Sequence, residues 1–128
     1  APAHTLSVAG DAYLDGMTRF GRNASNTTIS SGILTATHTV VRVVPESSTA
    51  DDVDEITAGE DGDFLILSNA SNTDTITYKH NNASTAANRL RLAGGADFAA
   101  VNRYDYIMLI YRSSGHAAWF EVSRSDNG

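Results

Sequence analysis

The sequence predicts an all-β fold: a β-sandwich or jelly roll of about eight strands, with an extended N-terminal arm. Three observations predict it. β-branched and aromatic residues gather in short runs, such as Val40-Val41-Arg42-Val43-Val44 and Tyr106-Ile107-Met108-Leu109-Ile110-Tyr111, whose length suits strands. Polar stretches rich in Gly, Asn and Ser separate these runs at turn-like intervals. No segment beyond the first 32 residues repeats its apolar positions with helical period, and no internal repeat of the kind that marks a solenoid or propeller stands out.

Residues 1–32 read as the arm and residues 33–128 as the sandwich domain. The arm contains Gly10, Gly16, Gly21 and Gly32 and a polar run over 22–31. Its large apolar residues are sparse, and Leu6, Val8, Tyr13, Leu14, Met17 and Phe20 are the candidates for contact with its own domain, a sister protomer or another protein. Residues 5–9 are expected to be a strand. Tyr13, Leu14 and Met17 are placed on one face of a short helical turn begun by Asp11, a turn that Gly16 weakens. An arm that cannot bury itself is expected to lie on something else.

Residues 33–44 are the first strong strand, stopped by Pro45. Alternation puts Ile33, Thr35, Thr37, Thr39, Val41 and Val43 on one face and Leu34, Ala36, His38, Val40, Arg42 and Val44 on the other. The run is long for one strand, so a bulge or bend is expected near residues 37–39. An acidic loop over 46–52 leads to a short strand at 53–57, and Gly59 to Gly62 make a turn. Phe64-Leu65-Ile66-Leu67 is continuously apolar, as in a strand buried on both faces. Residues 75–80 and 88–92 alternate apolar with polar, and Gly94-Gly95 ends the second of them. Residues 104–111 form another strongly buried strand. Ser113-Ser114-Gly115 is a hairpin turn, and the chain returns over 117–123 with Trp119, Phe120 and Val122.

At 128 residues the chain suits one domain, able to bury about two-thirds of its unfolded surface. It has no cysteine, which excludes disulfides and thiolate metal sites. Ala1 reads as the end left by trimming an initiator Met, and the chain as an intact small gene product, although leader cleavage leaves the same end. No apolar run reaches membrane-span length, so no membrane partner is expected. Fifteen acids against nine bases give a net charge of −6, which argues against a nucleic-acid partner. Seven of the acids fall within residues 51–63, whereas Arg103, Arg112 and Arg124 lie in the last quarter. This asymmetry is read first as solvated loops and second as an aid to docking.

No catalytic residue, cofactor or metal site is assigned. His4, His38, His80 and His116 show no His-x-His or His-x-x-x-His spacing. Asp52-x-Asp54 and Asp61-x-Asp63 have the oxygen-rich character calcium favours, without a full calcium-loop pattern. Trp119 and Glu121 fall on one side of an alternating strand and form the candidate glycan platform, with Tyr78, Tyr104, Tyr106 and Tyr111 as the other aromatic residues an exposed patch could use. No nucleophile elbow, phosphate loop or dinucleotide fingerprint occurs, and the chain is expected not to be an enzyme. Asn23, Asn26, Asn69 and Asn82 head glycosylation sequons, read as turn chemistry.

From about Asp52 to Ser125 the chain resembles small β-sandwich modules of tailed-bacteriophage virions. The residues that carry this are Val53-Asp54-Glu55-Ile56, Gly62-Asp63-Phe64-Leu65-Ile66-Leu67-Ser68-Asn69, Ile76-Thr77-Tyr78-Lys79-His80, Asn88-Arg89-Leu90-Arg91-Leu92, the strand from Asp105 to Tyr111, and Trp119-Phe120-Glu121-Val122-Ser123-Arg124-Ser125. The resemblance covers a little over half the chain and rests on pattern. It implies a virion component, commonly a homotrimer: a capsid decoration (cement) protein or a tail-fibre tip module. A fibre needs a shaft or attachment domain, whereas a decoration protein needs a compact body and a gripping arm. The expectation is therefore a cement protein on the capsid exterior, made in the host cytoplasm, with the major capsid protein and itself as partners. The alternative is a tail-tip receptor- or carbohydrate-binding module.

Overall fold

β-branched and aromatic runs become strands here because their side chains pack well on a pleated surface, and the polar stretches between them become corners. A computed structural model describes residues 8–47 and 49–128. Its elements are β1 (Thr27–Thr28), β2 (Ile33–Leu34), β3 (Val40–Val44), β4 (Ala50–Val53), β5 (Glu55–Ile56), β6 (Phe64–Asn69), β7 (Thr75–Tyr78), β8 (Leu90–Arg91), β9 (Phe98–Ala100), β10 (Tyr106–Arg112) and β11 (Ala118–Ser125). Two single 3₁₀ turns, Ala86–Asn88 and Ala93–Gly95, flank β8. The chain is thus all-β, as its sequence predicts.

The pairing differs from the expected sandwich or jelly roll and is solenoid-like. One six-stranded sheet runs β1-β3-β6-β10-β11-β8, a second β4-β7-β9, and a third β2-β5. β1 with β3, β3 with β6, β4 with β7 and β2 with β5 are all parallel pairs. Successive passes of the chain therefore stack as coils, with Val41 on Leu67, Val53 on Tyr78 and Leu34 on Ile56. The end of the stack is closed by antiparallel strands: β9 on β7, β10 on β6 and β11 on β10. The inner side chains of all three sheets meet in one core that includes Ile29, Val43, Leu65, Ile76, Ile107, Leu109 and Trp119.

The corners account for several differences from the sequence reading. Residues 33–44 are two strands in two sheets, separated by a bend at His38 and Thr39, inside the stretch where a bend is expected. Leu34 and Val41 both face the core, because the corner resets the alternation that assigns them to opposite faces. The expected strand 53–57 is likewise split at Asp54, with Val53 ending β4 and Glu55–Ile56 forming β5. β7 alternates as expected, with Ile76 and Tyr78 inward, and the β10–β11 hairpin closes around Ser113-Ser114-Gly115. β9 has no clear signal in the sequence, because Phe98-Ala99-Ala100 carries little β-propensity beyond its one aromatic residue.

The boundary at residue 32 also moves. Gly21 O accepts from Val40 N (3.0 Å), Asn23 N donates to Val40 O (3.2 Å), and Ile29 is fully buried. Residues 21–32 therefore belong to the body, and the unpaired stretch ends at Phe20. Residues 8–20 contain no helix, so the turn begun by Asp11 is not formed. Of the expected strand 5–9, residues 5–7 lie outside the described residues, and Val8 and Ala9 are not in a strand.

Candidate functional site

The described part of the arm offers contact chemistry because it spends little of it internally. Every residue from 8 to 20 is exposed. Tyr13 is 89% and Met17 88% accessible, and Val8, Leu14 and Phe20 are also exposed. Leu6 lies outside the described residues. At the root of the arm the Phe20 ring meets the body, 6.5 Å from the ring of Phe64 and tilted by 57°.

Phe64 belongs to a surface that the sequence reading missed. On β6, β10 and β3 the odd-numbered residues from Val41 to Leu109 point inward, so the even-numbered ones form the outer face of the large sheet. Register puts Phe120, Ile110 and Phe64 in one row across that face and Met108, Ile66 and Val40 in the next. All six are half-buried. The continuous apolar run Phe64-Leu65-Ile66-Leu67 is the sequence signal for this surface. It reads as burial on both faces, yet only Leu65 and Leu67 reach the core.

The expected glycan platform is not built. Trp119 is buried at 3% exposure, edge-on to Tyr111 at 5.1 Å between centroids, and its indole N–H donates to Thr57 O (3.2 Å). Alternation does set Trp119 and Glu121 on one side, but that side is the interior. Glu121 accepts from Arg124 Nε (2.6 Å) and from Ala93 N (2.8 Å). The Arg124 hydrogen bonds hold its carboxyl below the usual range against the opposing effect of burial. Of the tyrosines, Tyr104 and Tyr106 are exposed, whereas Tyr78 and Tyr111 are buried.

The most perturbed acid is structural in its contacts. Glu55 is buried and accepts from Ser84 N (2.7 Å), Ser84 Oγ, Thr85 N and Asn88 Nδ2 (2.9 Å). The Ser84 hydroxyl above all, then Asn88, lowers its pKa to about 2. These bonds fasten the 82–88 loop over β5. Asp105, also buried, accepts from Val101 N (2.8 Å) and Asn127 N (2.9 Å), which closes the turn before β10.

Three of the four aspartates singled out for calcium are occupied in turns. Asp54 accepts from Asn82 Nδ2, Asp63 from Glu60 N (2.8 Å) and Asp61 from Ser113 N (2.8 Å). Among the described residues no three His, Asp or Glu side chains converge as metal ligands. His80 Nδ1 accepts from Leu92 N (3.0 Å), while His38 and His116 lie on separate corners and His4 is outside the described residues. Asn69 is buried, its amide donating to Ala100 O (2.9 Å), so this sequon is turn chemistry. No described helix is long and apolar enough to cross a membrane.

No protein-family model matches the chain, and no curated protein matches it.

Proposed function

We propose that this chain is a bacteriophage capsid decoration protein, a homotrimer on the outside of the head whose N-terminal arms grip the shell. The observation that carries the reading is the arm: residues 8–20 are wholly exposed yet bear five large apolar side chains, while the body beneath them is packed. Burying Tyr13, Leu14 and Met17 against the major capsid protein is worth roughly 1.5–3 kcal/mol per side chain. Three arms acting together multiply that affinity through effective concentration. Binding only the assembled shell stabilises the shell by mass action against internal pressure. The resemblance of residues 52–125 to phage virion modules supports the same reading. The tail-tip alternative loses Trp119, which is buried, and keeps only Tyr104 and Tyr106 as exposed aromatic residues among those expected to form its patch.

The test is deletion of residues 1–20, which stops just before Gly21 joins the sheet. The truncated protein is expected to keep its melting temperature and its trimer while losing all occupancy of phage heads stripped of the full-length protein, measured by cryo-electron microscopy. Saturation of the heads by the truncated protein, or density at the tail tip alone, overturns the proposal.

A further inference from the structure

We propose that the groove at the β8–β11 end of the large sheet binds a small oxyanion, a carboxylate or phosphate group. The proposal is independent of the arm. Parallel pairing of β8 with β11 sets Arg91 beside Phe120, and antiparallel pairing of β10 with β11 sets Arg112 beside Ala118. The two arginines thus approach Phe120 from opposite edges, with the Arg112 guanidinium carbon 5.6 Å from its ring centroid. Together with Ser114, Gly115 and His116 they line a cavity of about 420 Å³. A neighbouring cavity of about 240 Å³ shares Arg91, Gly115 and His116 and adds Arg89.

Three features make this groove an anion site. First, among the described residues, ion pairs are made only by Lys79 with Asp97 and Arg124 with Glu121, so Arg89, Arg91 and Arg112 have no carboxylate partner in a chain with fifteen acids. Asp61, which reaches the hairpin turn, accepts from Ser113 N at 2.8 Å. Second, the Arg89 Nε–H is buried without a hydrogen-bond partner among the described residues, while its backbone carbonyl is fixed by Trp119 N at 2.9 Å. A buried donor left open is costly, and an incoming oxygen removes that cost. Third, guanidinium groups present planar forks that match the paired oxygens of carboxylate and phosphate, while Phe120 supplies a flat apolar wall for what the anion is attached to.

The experiment is a titration of the ¹⁵N-labelled full chain, followed by the arginine Nε–H and backbone amide resonances, at constant ionic strength set with sodium chloride. Sodium phosphate is one arm and sodium acetate the other. The Arg89 Nε–H and the Gly115 and His116 amides are expected to move and saturate, and the tighter arm identifies the anion class. In the Arg91→Ala/Arg112→Ala variant the affinity falls by on the order of tenfold or more. Unchanged core amides show that this variant is folded, since both side chains reach solvent. The variant Arg89→Lys keeps the charge but removes the open Nε–H, and is expected to lose at least half of the binding free energy gained over chloride. Non-saturating shifts equal to those of chloride in both arms, or titrations unaltered in the double variant, overturn the proposal.

Discussion

Glu55 holds four donors from Ser84, Thr85 and Asn88 in a part-buried site. Glu55→Ala strands them and is expected to cost about 1–3 kcal/mol in denaturant unfolding. Because its folded pKa, about 2, lies below the ordinary value of 4.5, its contribution is fully present above about pH 4.5. It is lost as pH falls from there toward 2. Unfolding free energies measured at pH 7 and pH 3 are expected to differ less in Glu55→Gln than in the parent. Tyr78 is the opposite case: its hydroxyl is fully buried with no partner among the described residues, and burial drives its pKa upward. Tyr78→Phe removes an unsatisfied group and is expected to leave stability unchanged or raise it by about 1 kcal/mol. A clear loss in thermal unfolding would show that the hydroxyl has a partner. At Gly59 a methyl group would lie 2.7 Å from Asp63 Oδ2 and 3.0 Å from the Trp119 ring. Gly59→Ala is therefore expected to destabilise by about 1–3 kcal/mol through overpacking.

At the scale of elements, β10 and β11 pair along most of their length, whereas β1 and β2 are two-residue strands. Amide hydrogen exchange is expected to be slowest for Ile107, Leu109 and Tyr111, and to be faster by orders of magnitude for Thr28 and Ile33. Uniform protection across the sheet would contradict this ranking. The strong strands were legible because their signal is local. Alternation in β7, the apolar run of β10 and the Ser113-Ser114-Gly115 turn each report on a few adjacent residues. Parallel stacking was not legible, because the partner of Val41 is Leu67, in the next pass of the chain, and the coils are unequal in length, so no period emerges. Trp119 and Glu121 show the same limit: alternation set them on a common side and was silent on whether that side is inner or outer. The arm was legible as an excess of apolar residues without strand context, but its end was not, since the pairing of Gly21 and Asn23 with Val40 uses only backbone atoms.

At the scale of the molecule, a closed body carries an open arm. Limited trypsin treatment is expected to cut first after Arg19, leaving a fragment that starts at Phe20 and melts like the full chain. Assembly onto a phage head is expected to protect that bond. Early cleavage within residues 40–112 would instead mean that the body opens as readily as the arm.

Tension on the described part of the arm reaches the body at its root, where Phe20 meets Phe64 and Gly21 and Asn23 lie along Val40. That place is the outermost coil, held by a few backbone bonds and the anchor of Ile29. Beneath it, β6, β10 and β11 are bonded to one another without its help. A pull strong enough to detach the coil therefore spends itself there, and the molecule yields like a mechanical fuse, lengthening its tether while the remainder stays folded.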